Sequence, residues 1–246
     1  MSTDISIEPA TPMTPSARHA PLVGSGPTRW AAVAGIIFVA LQAPLPFIMG
    51  DVPAIDAPAA EIRDYLVSDG GRILLAMTLA ALAACFFLWF LAGLRTHLHR
   101  AEGGDGRLSA LAFGAGIATI TLNLTATMPT VALAWNDTAA SADTGLLRTV
   151  WNLSTLALVP IGSTAGLFAL AVALIILRTG ARPAWLGWLG LLTTILSVAS
   201  VFYLLADGSN AVLEAINMAG FLVAMVFILL LSILMVHRPA EVPAKA

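Results

Sequence analysis

Residues 211–236 read AVLEAINMAGFLVAMVFILLLSILMV, a stretch in which Glu214 is the only ionisable side chain. About 20 apolar residues cross the hydrocarbon core of a bilayer as an α-helix. A helix is also the form in which a single segment satisfies its own backbone hydrogen bonds in lipid. Working back from this segment, five more of the same kind occur at 183–206, 149–177, 108–134, 73–94 and 29–50, each bounded by Arg, Asp or Gly-rich breaks. The expected fold is all-α, a polytopic membrane protein with six transmembrane helices.

Composition agrees. Of 246 residues, 59% are hydrophobic and 11% charged, against about 25% charged in a soluble domain. The chain divides into a disordered tail at 1–28, rich in proline (Pro9, Pro12, Pro15, Pro21, Pro27), a six-helix domain at 29–236 and a short tail at 237–246. The first tail has no apolar core of the kind a signal peptide needs. A net charge of −2, with no run of either sign, excludes a nucleic-acid surface. The single cysteine, Cys85, falls mid-span and reads as a small hydrophobe. Eleven of the twelve basic residues are Arg and Ala is abundant, a composition that points to a high-GC bacterial source.

Basic residues sort by side. The first tail (Arg18, Arg29), second loop (Arg95, Arg100, Arg107), fourth loop (Arg178, Arg182) and C-terminal tail (Arg238, Lys245) hold nine; the first loop (Arg63, Arg72) and third loop (Arg148) hold three. Positive residues stay on the cytoplasmic side, so both termini are expected inside, in the bacterial cytoplasmic membrane. Trp30, Trp185 and Trp188 fall near inner ends and Trp135 and Trp151 near outer ends, as interfacial belts require; Trp89 lies deeper and reads as packing. In the first outer loop, Pro58 sits at a plausible helix start, Ile62, Tyr65 and Leu66 share a face, and Gly70–Gly71 offer a stop. A short outer amphipathic helix is expected there, either a lid over the bundle or an interfacial spacer.

The string Arg178-Thr-Gly-Ala-Arg-Pro183-Ala-Trp185-Leu-Gly187-Trp188-Leu-Gly190 resembles a segment of six-helix integral membrane proteins of actinobacteria, a family of unknown function. One helix there ends in Arg-x-Gly and the next begins Pro-x-Trp-Leu-Gly. The likeness covers roughly residues 29–236. It implies the six-span architecture and carries over no activity and no catalytic residue. Helix capping by Gly180 and helix initiation at Pro183 account for much of the motif.

Few residues offer chemistry. His19, His97, His99 and His237 all fall outside the expected spans, so an intramembrane haem or metal site has no ligands, and no cofactor is expected. His97 and His99 are two apart, which puts them on roughly opposite helix faces. Gly162-Ser163-Thr164-Ala165-Gly166 lacks the central serine of a nucleophile elbow and any histidine base, and reads as small-residue helix packing. Asp105 among glycines reads as a turn. No enzyme activity is expected from these residues.

Polar residues inside the spans remain, and these are costly unless paired or wet. Gln42, Asn123, Asn152, Glu214 and Asn217 all fall in the outer half, near Pro44, Pro46, Pro129 and Pro160, where missing N–H groups free backbone carbonyls. The functional expectation is an outward-facing polar chamber lined by those five residues. It would bind or transport a small polar solute or proton, with Glu214 as the titrating or cation-coordinating group. Against it stand interhelical hydrogen bonds worth about 0.6 kcal/mol each and the absence of a convincing inverted repeat. The alternative is a non-catalytic scaffold, sensor or accessory subunit. Lipid is the certain partner; a homodimer or a second membrane protein is open.

Overall fold

The structure, a computed structural model, describes residues 26–205 and 210–237. The tails expected at 1–28 and 237–246, and His19 with them, lie almost wholly outside the described residues. In order come α1 (Gly26–Gln42), α2 (Leu45–Met49), α3 (Ala59–Ser68), α4 (Gly70–Glu102), α5 (Arg107–Ala134), α6 (Thr138–Ser141), α7 (Thr144–Leu158), α8 (Ile161–Thr179), α9 (Ala184–Ala199) and α10 (Ala211–His237), with no strand among the described residues. Six stretches are long and apolar enough to cross a membrane: Arg29–Met49, Gly70–Glu102, Arg107–Ser141, Thr144–Thr179, Ala184–Leu205 and Ala211–His237. The chain is thus a multi-pass membrane protein.

The spans form a closed ring in chain order. α1 packs on α4, α4 on α5, α5 on α8, α8 on α9, α9 on α10, and α10 returns to α1. Local chemistry fixes the corners. Asp143 caps α7 by accepting from the N–H groups of Gly145 and Leu146 at 2.8 and 3.0 Å. Glu102, the last residue of α4, caps the next helix instead, accepting from Leu108 and Ser109 N–H at 2.8 Å each. Between them Asp105 is exposed in a turn, where Arg107 meets it at 3.1 Å. Gly180 closes α8 in the left-handed region (φ 63°), its N–H bonded to Ile176 at 3.0 Å, and Pro183 precedes α9.

Several boundaries differ from the expectation. The second span does not stop at 94: α4 runs through Leu-Arg-Thr-His-Leu-His-Arg-Ala-Glu to Glu102, because its inward face at Leu94, His97 and Leu98 stays buried. The first span breaks at Ala43–Pro44 and the fourth at Val159–Pro160, where Gly162 and Ser163 make tighter i to i+3 bonds to Val159 and Pro160 at 3.1 and 3.2 Å. Pro129 lies inside α5 without ending it. Past Ala199 the fifth span tightens to a 3-10 turn, Ser200–Leu205.

Among the described residues two large cores and a small third one, Leu45 with Ala76 and Ala80, hold the molecule. The larger one centres on Phe38, Phe87, Phe90, Phe168 and Phe227; the Phe87 ring lies 4.6 Å from Phe38 and 6.1 Å, edge-on, from Phe168. Glycines set the spacing, since a Cβ at Gly162 would strike the Ser197 carbonyl oxygen and the Ser200 hydroxyl. The Gly162–Gly166 stretch packs in this way, and Ser163 itself is exposed. A smaller core joins Ile62, Tyr65, Leu66, Ile73, Leu133, Ala139, Leu147 and Trp151 into a cap at the end holding α3 and α6. Trp151 is therefore buried against Tyr65, ring centroids 6.1 Å apart, and its ring does not face the surface as a belt residue would. Trp89, expected to be packing, is instead 58% exposed on the outer surface of α4.

Candidate functional site

The site begins where α1 ends. Pro44 has no N–H to continue the helix, so the chain turns there, and Gln42 is left as the last residue of α1, half-buried at the inside of the ring. Its Oε1 is sealed from solvent and has no hydrogen-bond partner. Asn123 stands on α5, and Glu214 and Asn217 stand on the first turns of α10, one turn apart. That helix is started by Asn210, whose Oδ1 accepts from Val212 and Leu213 N–H at 3.1 and 3.2 Å. In its first two turns α10 is loosely packed, with Glu214 and Asn217 exposed; its burial starts at Gly220.

These residues meet in one cavity of ≈ 540 Å³ inside the ring, well within the range of about 300–1,000 Å³ seen for small-molecule sites. Gln42, Asn123, Glu214 and Asn217 all line it; Asn152 does not. Asn152 faces away on α7, with its own Oδ1 buried and unpartnered. Most of the wall is apolar. Phe38, Phe87, Phe168, Phe221 and Phe227 line one part, with Ile120, Leu196, Met218 and Met225. Polar side chains are a minority of the lining, and among the described residues Glu214 is the only charged one.

The sequence reading missed the hydroxyls. Thr119, Thr193, Ser197 and Ser200 also line the cavity, and three of them give their hydrogen to a helix carbonyl: Thr119 to Ala115 at 2.8 Å, Thr193 to Leu189 at 2.9 Å and Ser200 to Ser197 at 2.7 Å. Each such oxygen keeps lone pairs and so accepts from whatever enters. A Ser/Thr that can bond its own helix is common in membrane spans, which is why these gave no signal; the spacing of Ser197 and Ser200 at i, i+3 was the one hint.

A second polar cluster lies at the opposite end of the bundle. His97, expected in a loop, is on α4 and 6% exposed. Arg182, just ahead of α9, donates from Nη2 to His97 Nε2 at 2.6 Å and from Nη1 to the Leu234 carbonyl at 2.7 Å. A guanidinium only donates, so Nε2 is the acceptor and the ring proton sits on Nδ1. The cluster ties α4, α9 and α10 together. His99, two residues on, is exposed, as the helical angle demands.

No family model, no curated protein and no solved structure matches this chain.

Proposed function

We propose that the chain is a ligand-binding protein of the bacterial cytoplasmic membrane that takes a small solute into the chamber and carries it, or a proton, with both ends of the chain on the cytoplasmic side. The chamber then opens outward, and α3 belongs to an outer cap above the ring. The observation that carries this reading is the convergence of Gln42, Asn123, Glu214 and Asn217, from three separate helices, on one cavity of ligand size. Polar groups scattered for helix pairing alone have no reason to face a common space.

Reactivity of single cysteines tests it. Cysteines at 42, 123, 214 and 217, in a Cys85→Ala background, are treated in intact cells with a membrane-impermeant thiol reagent. Labelling at the deep positions 42 and 123 is expected, with position 152 as the control that stays dark; failure at both deep positions removes the chamber. The second reading, a scaffold or accessory subunit, is favoured by one feature of the cap: Trp135 and Leu146 are 58% and 53% exposed there, an apolar surface for another protein. The resemblance to the actinobacterial six-helix family is compatible with both.

A further inference from the structure

We propose that the chamber's ligand is a cationic amphiphile, an apolar body bearing a protonated amine. The amine sits at Glu214 and the body rests against the aromatic wall. This rests on the reading that the chamber binds a ligand, and adds the class of that ligand.

Charge comes first. Among the described residues Glu214 is the one ionisable group in the lining, and no described Arg, Lys or His lines the cavity. Two cationic side chains of the cap are engaged elsewhere, Arg72 with Asp69 at 2.6 Å and the Ile48 carbonyl at 3.0 Å, Arg63 with the carbonyls of Ala139, Ala140 and Ala142 at 2.6, 2.9 and 2.8 Å, and the third, Arg148 on α7, does not line the cavity. An anionic head group would meet a carboxylate and no cation.

Hydrogen bonding points the same way. Thr193 and Ser200 have committed their hydrogens to backbone carbonyls and Thr119 shares its own between the Ala115 carbonyl and the Thr164 hydroxyl, so their oxygens offer acceptors. Gln42 lines the cavity, and its oxygen, which no protein group satisfies, is presented to a ligand by a turn of the side-chain amide. An ammonium has three donors and no acceptor, the complement of these oxygens and of the Glu214 carboxylate, and the amides of Asn123 and Asn217 have oxygens to turn toward it as well. The rest of the wall sets the body. A fully hydrated solute would leave the partly exposed lining residues Leu196, Met218 and Phe221 against water, whereas an apolar body buries them.

The test uses two probes with one apolar cage and opposite heads, radiolabelled adamantylammonium and adamantanecarboxylate. Equilibrium binding is measured on the full chain in phosphatidylcholine nanodiscs, with empty discs subtracted. Saturable binding of the ammonium and none of the carboxylate is expected. Glu214→Gln, at an exposed position, is expected to weaken the ammonium about tenfold or more, the scale of one charge-assisted hydrogen bond. Ala224→Phe, which fills the cavity beside the aromatic wall, should abolish it with the thermal melt unchanged or raised. Equal binding of both probes, no binding of either, or ammonium binding indifferent to Glu214→Gln overturns the proposal. Cysteine labelling at 42 and 123 separates the two failures: labelled cysteines with no ammonium binding reject the ligand class alone, and unlabelled ones reject the chamber itself.

Discussion

Gln42 carries an oxygen buried without a donor, and a stranded acceptor costs about 1–3 kcal/mol. Such groups persist where function holds them. Gln42→Leu is therefore expected to keep or raise the melting temperature of the detergent-solubilised protein, and a clear fall would make the amide a packing element. Tyr65 behaves oppositely, as a structural group. Its hydroxyl donates to the Met49 carbonyl at 3.2 Å, and burial, with Asp69 adding to it, pushes its pKa up from 10.0 to about 12. The folded chain then holds the proton more tightly than the unfolded one, so stability is full below pH 10 and declines as pH climbs toward 12. Melts at about pH 9 and about pH 11 should show the drop, and Tyr65→Phe should shrink it. At this scale the sequence was legible wherever a polar group stands out against lipid. Asn152 stood out equally and lies outside the chamber, because polarity marks a residue's depth and says nothing of which way round the helix it points.

Arg63 shows what a single side chain does for an element. Its guanidinium gathers three carbonyls at the end of α6 and pins α3 to the third loop. Arg63→Ala should destabilise the cap by about 2 kcal/mol, on the scale of hydrogen bonds to charged groups. Faster amide exchange at 59–68 and 138–147, with α8 unchanged, is the readout; uniform loosening would mean that the cap has no independent existence. Arg63→Lys should restore only part, since one ammonium cannot match the fork. Element lengths were the least legible feature. Hydropathy sees the lipid-facing and buried residues together, so it ended the second span at 94, whereas α4 continues for as long as one face has a partner. The breaks at Pro44 and Pro160 were readable from proline chemistry, yet Pro129 is tolerated mid-helix, a distinction that rests on neighbouring packing.

For the whole molecule, the six spans were plain from composition and their closure into a ring was not, since α1 meets α10 through ordinary apolar contacts with no sequence mark of their own. The orientation proposed from charge counting is testable directly. A cysteine at Ser141, in the Cys85→Ala background, should react with the impermeant reagent in intact cells, and one at Asp105 only after permeabilisation. The reverse pattern would invert the chamber. Ser141 and Asp105 are both exposed, so neither result is clouded by burial.

The ring also has a consequence in time. Neighbouring spans are neighbours in sequence, so a growing chain can add each helix to the one just made, with only short loops to close. One contact breaks that rule: α1 must wait for α10, the sixth of the described spans. Until then the nascent assembly is an open arc whose inner wall faces lipid. The chamber comes into being only with α10, which brings Glu214 and Asn217 with it, so a chain stalled before residue 211 has neither the enclosure nor its acid. Enclosure is in this sense a built-in mark that the sixth described span has joined the first.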